Sequence, residues 1–114
     1  MADSDLAQMA HLMRRAGFGV ARDELEARVA RGYEATVEEL LHPEDQPNID
    51  VFLMERYLPD YGDMGSFEAN KQAGVYRMIN TRRQLQEKLA LFWHGVLCIG
   101  FSKVEHGRLL TDYI

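Results

Sequence analysis

The chain has 114 residues, 46% of them apolar and 27% charged, with a formal net charge of −5. Such a length can bury one modest core, and the composition is that of a folded globular protein rather than a disordered one. The acidic balance argues against a nucleic-acid partner, whose binding rests on neutralised phosphates, and the ten arginines and three lysines form no basic stripe.

A single cysteine, Cys98, excludes a disulfide within the chain. The opening MADSDLAQMAHLMRR lacks the basic start and apolar core of a secretory signal. The longest apolar run, LALFW, is too short to span a bilayer. The cytoplasm is the default expectation, with no membrane partner.

Helical periodicity runs through the sequence, and no alternating strand pattern competes with it. A first helix is expected over Ser4–Ala16, with Leu6, Met9, Leu12, Met13 and Ala16 as its apolar stripe. Gly17-Phe18-Gly19 ends it with a glycine in the left-handed position. A second helix over Arg22–Arg31 turns Leu25 and Val29 inward and stops at Gly32. The third, Glu34–His42, buries Val37, Leu40 and Leu41 and ends before Pro43.

The segment HPEDQPN reads as a surface turn, and a weaker helix follows over Ile49–Leu58. After the irregular PDYGDMGS comes a helix from Ser66 to Ile79, with Phe67, Val75, Met78 and Ile79 on one side. The next opens at Thr81-Arg82-Arg83-Gln84, which fits a capping box, and runs to Cys98 or Ile99. A last helix is expected over Lys103–Ile114. The fold class is all-α, an irregular bundle of about six or seven helices. Residues 1–114 form one helical domain or the N-terminal fragment of a larger one.

The segment LQEKLALFWHGVLC holds the most site-like feature, an imidazole directly after the only tryptophan. At about 100° per residue, Leu85, Leu89, Phe92, Val96 and Ile99 fall on one line, which is expected to face the core. Arg83, Glu87, Ala90 and His94 lie opposite, with Cys98 about 40° from His94. His94 therefore points to a polar seam between this helix and something else. Its plainest role is a structural histidine bonded to a carbonyl or carboxylate.

Three chemical roles stand beside that one. His94 and Cys98, spaced i, i+4, could reach one metal ion, and Glu105 and His106 could fold back toward it. A structural zinc needs four ligands, however, so no metal and no cofactor is expected. Cys98 could serve as a nucleophile activated by His94, and His94 could be a general base with Glu87 and Arg83 beside it. Arg82 and Arg83 at a helix N-terminus suit an anion, against which stands an ion pair of Arg83 with Glu87.

Three motifs occur in order: HLMRRAGFG, then RGYEATVEELLHP, then TRRQLQEKLALFWHG with SKV soon after. Together they resemble the bacterial domain-of-unknown-function 1800 family, whose pattern has proline where Gln84 stands and methionine where Leu89 stands. The resemblance places His94, Trp93, Glu87 and the Arg14-Arg15 pair on the family pattern and leaves Cys98 off it. It implies a largely helical protein of several hundred residues, of which this sequence resembles the N-terminal portion, and no established reaction. The first expectation is thus a helical segment without activity by itself, whose partner is the C-terminal part of the same chain. A self-contained module that docks a helical protein or dimerises is the second. Part of an enzyme site using His94 is the third.

Overall fold

The computed structural model describes residues 3–58, 67–98 and 100. Among these, six α-helices and one 3-10 turn follow in order. They are α1 (Asp3–Ala16), α2 (Arg22–Arg31), α3 (Tyr33–Leu41), the turn Pro43–Asp45, α4 (Val51–Tyr57), α5 (Phe67–Asn80) and α6 (Gln84–Val96). No strand occurs among the described residues, so the protein is all-α. The helix expected over 103–114, the segment 59–66, Ile99, Glu105, His106 and the side chain of Phe67 lie outside the described residues.

α1 begins with Asp3 and Asp5 and ends with Arg14 and Arg15, charges that complement its dipole at both ends. Its stripe delivers Met9 and Met13, 2% and 0% exposed, to the centre of the molecule. Leu40 of α3 joins them, with Leu25 and Val29 of α2 and Leu85 of α6 packed around. Burying a methionine side chain contributes about 1.5–3 kcal/mol. Unbranched thioethers also fill the uneven gaps left by helices that cross at different angles. The expected inward stripe of α1 is the observed one.

Gly19, at φ +86°, is the left-handed residue after α1, and its N–H donates to the Met13 carbonyl at 3.2 Å. Gly32, at φ +103°, serves α2 and α3 together. Its N–H donates to Arg28 and Val29, while its carbonyl accepts from the Thr36 N–H and the buried Thr36 hydroxyl. A side-chain carbon is disfavoured at that φ, and glycine has none. Across this joint Glu39 of α3 accepts from Arg28 at 3.1 Å and pairs with Arg31 at 2.7 Å, and Arg28 also holds Glu24 at 2.7 Å.

Three sequence expectations are corrected at the core. Leu41 is 57% exposed. α3 turns its Thr36–Leu40 line into the core instead, and Leu41, one residue on, is rotated about 100° away. Val75 and Ile79 of α5 face outward, because α5 approaches its neighbours through the small Ala69 and reaches α6 with Arg77. The capping box is not formed. α6 starts three residues later, at Gln84, and Thr81 Oγ1 accepts from the Arg83 N–H at 3.0 Å in a turn before the helix.

The largest correction concerns the rotation of α6. Leu89, Phe92 and Val96, expected inside, are 47%, 59% and 56% exposed. Gln84, Leu85, Glu87, Lys88, Ala90 and His94 are the partly buried positions. Glu87 is drawn inward by Arg77 on α5, and of the described residues of the expected line only Leu85 packs on the Met9–Met13 core.

The exposed end of α3 carries a small clasp. His42 Nδ1 meets Glu44 Oε1 at 2.9 Å, and Glu38 lies one turn back at 3.6 Å. The hydrogen bond to Glu44 and its charge raise the His42 pKa above its ordinary 6.5. The same bond lowers that of Glu44 below 4.5. The histidine's contribution is complete below pH 6.5 and is lost as pH rises through its raised folded value. The carboxylate's is present above pH 4.5 and is lost as pH falls through its lowered value. The clasp is therefore whole between about pH 4.5 and 6.5. The His42 ring resonances should titrate with a midpoint above 6.5, and Glu44→Gln should move that midpoint down; an unmoved midpoint would refute the pairing.

Candidate functional site

α6, the turn before it and Cys98 just after it hold the candidate positions that lie among the described residues. α5 ends at Asn80, whose Nδ2 donates to the Tyr76 carbonyl at 2.9 Å, while the Thr81 N–H closes on Arg77. The turn 81–83 then aims α6 back across α1 and α3. Its start is set against the end of α1, where a side-chain carbon on Gly17 would fall 2.1 Å from Gln84 Oε1. Only glycine leaves room for that glutamine. Beside it, Lys88 Nζ stands 5.2 Å from the centre of the Phe18 ring, a cation–π contact that ties α6 to the loop after α1.

Arg83 does not pair with Glu87. Its Nε donates to the Gln46 carbonyl at 2.9 Å and so fastens the start of α6 to the segment after the 3-10 turn. Glu87 instead takes the guanidinium of Arg77 through Nε at 3.2 Å and Nη2 on one oxygen. Its side chain is 13% exposed, so the carboxylate is committed to a helix–helix tie. Both residues work as structural fasteners between elements. Arg82 is exposed.

His94 is partly buried on the same side of α6, and its Nδ1 is buried without a hydrogen-bond partner among the described residues. The bond to a carbonyl or carboxylate expected of a structural histidine is thus not formed at that nitrogen. No hydrogen bond joins it to Glu87 or Cys98 among the described residues. Cys98 is exposed and lies beyond Val96, where α6 ends, so the i, i+4 spacing does not set the thiol and the imidazole on one helix face. Among the described residues no group of three or more His, Cys, Asp or Glu is placed to hold a metal ion. Glu105 and His106 lie outside them.

The sequence offered no sign of Arg77 as the partner of Glu87, since residues 77 and 87 belong to different helices. It offered Gly17 only as a helix stop. The niche for Gln84 is a property of two helix ends that meet in space.

The outward side of α6 is apolar. Leu89, Phe92, Trp93 and Val96 lie on it with Leu97 just past the helix end, each about half exposed, while Leu91, as exposed, lies about 160° round the helix from Leu89. Phe92 and Trp93 meet edge to face, with ring centres 5.4 Å apart at 77°. No helix among the described residues is long and apolar enough to cross a membrane.

These features define an all-α protein whose sixth helix turns Glu87 into an internal tie and, among the described residues, leaves its apolar side exposed. The chain belongs to the family described as "Protein of unknown function (DUF1800)", whose model matches residues 11–113. No curated protein and no solved structure matches it. The match extends from the His11 motif past the α6 motif and brings no reaction with it.

Proposed function

We propose that this chain is a helical docking unit without catalytic chemistry of its own, which packs the outward side of α6 onto other helical polypeptide. The observation that carries this reading is the rotation of α6. Glu87, and Arg83 just before the helix, are engaged by Arg77 and Gln46, while apolar side chains over about two and a half turns, from Leu89 to Leu97, are left to solvent. Exposed apolar patches of several hundred Å² mark interaction surfaces in proteins of this size. The C-terminal part of the same chain in an intact family member is one such helical surface, as the resemblance implies, and a separate helical protein is another.

A catalytic reading would rest on His94 as general base. Neither Glu87 nor Arg83 is available to it, since each is held by another element, which favours the docking reading.

Trp93 is the only tryptophan, so its fluorescence reports this face alone. Emission from the monomeric chain should lie at the red end of the range and be strongly quenched by acrylamide. A blue-shifted, shielded Trp93 in the monomer would sink the proposal.

A further inference from the structure

Resting on the docking reading, we infer that the helical surface which covers α6 is a second copy of this chain, paired antiparallel across a two-fold axis between Phe92 and Trp93. Three observations favour this occupant. The first is extent: the five half-exposed large apolar side chains of this side, Leu89, Phe92, Trp93, Val96 and Leu97, present roughly 500 Å², more than half of the ~800 Å² that each partner contributes to a standard interface. The second is spacing. Leu89, Phe92, Trp93 and Val96 are symmetric about the midpoint of the Phe92–Trp93 pair, so an antiparallel copy sets Leu89 against the second copy's Val96 and joins the two aromatic pairs at the centre. An isologous contact requires this self-complementarity.

The third is charge. Two molecules of net charge −5 repel unless their carboxylates are kept from the contact. On α6 the only carboxylate is Glu87, and it is turned inward onto Arg77. The apolar side thus meets its copy without opposed negative charges, and antiparallel helices also oppose their dipoles favourably.

Sedimentation velocity across a concentration series, with acrylamide quenching of Trp93 at each point, tests the pairing in the wild-type chain and in Phe92→Glu. The substitution sits on a 59% exposed position, and an unchanged far-UV circular dichroism spectrum would show that the fold is kept. The expected result is a wild-type species at twice the 13.1 kDa chain mass with Trp93 increasingly shielded. In Phe92→Glu the dimer should be weakened about thirtyfold or more and Trp93 opened. A wild-type chain that stays monomeric with Trp93 open would overturn the pairing and leave the docking reading standing. A monomer with Trp93 shielded would overturn both. Dimers that persist unchanged in Phe92→Glu would place the interface elsewhere and also overturn the inference.

Discussion

Met13→Ala should lower the free energy of unfolding by about 2–5 kcal/mol, as judged by urea denaturation followed by circular dichroism. Met13 is fully buried, and it sits where α1 meets α3 with Leu25 and Val29 of α2 and Leu85 of α6 around it. Removing the thioether takes away apolar contact with several elements at once and leaves a cavity that helices on several sides cannot all close. A chain of this size has a total stability of roughly 5–15 kcal/mol, so the loss is a large share of it. Leu41→Ala on the adjacent helix is the informative control. Leu41 is mostly exposed, and its replacement should change stability by no more than about 0.5 kcal/mol. Equal effects at the two positions would mean that α3 is rotated differently from the arrangement described above.

Gly17→Ala is expected to cost about 1–3 kcal/mol, and Gln84→Ala to recover most of that loss when the two are combined. The added carbon would stand 2.1 Å from Gln84 Oε1 and 3.1 Å from Gln84 Cβ, so the end of the glutamine must swing aside and its Cβ give way slightly. Gln84 Oε1 is buried without a hydrogen-bond partner among the described residues. The single change Gln84→Ala therefore forfeits little polar stabilisation. A double-mutant cycle reads the contact directly. Losses that simply add would show that the two residues do not share the niche.

Helix positions were legible from the sequence because they depend on neighbours along the chain. Caps, prolines, glycines and apolar spacing placed α1 and α2 within a residue of their observed ends, and α3, α4 and α5 within two. The facing of the later helices was not legible. Periodicity identifies the apolar side of a helix, and the usual inference turns that side inward. In α6 the inward side is selected by Arg77, Gln46 and the hollow over Gly17, all supplied by distant segments. Thr81 illustrates the same limit on a smaller scale. Its motif fits a capping box, but its hydroxyl closes the turn before the helix through the Arg83 N–H. His94 was legible as lying on the side of the helix opposite Leu89 and Phe92, and there it is partly buried. That Glu87 and Arg83 would be engaged by other elements depends on tertiary placement alone.

The Gly32 joint also bears on the order in which the molecule assembles. One residue ends α2 and starts α3, so these helices can find each other with almost no chain to close between them. α1 is separated from α2 by only five residues. Contacts so local form at small entropic cost and favour rapid folding of the N-terminal three helices as a unit. α6 must return over more than forty residues to reach the same core. Its attachment is the long-range step, completed on a platform that is already standing. A partner that grips the outer side of α6 would then act on the last part of the molecule to settle and the first to release.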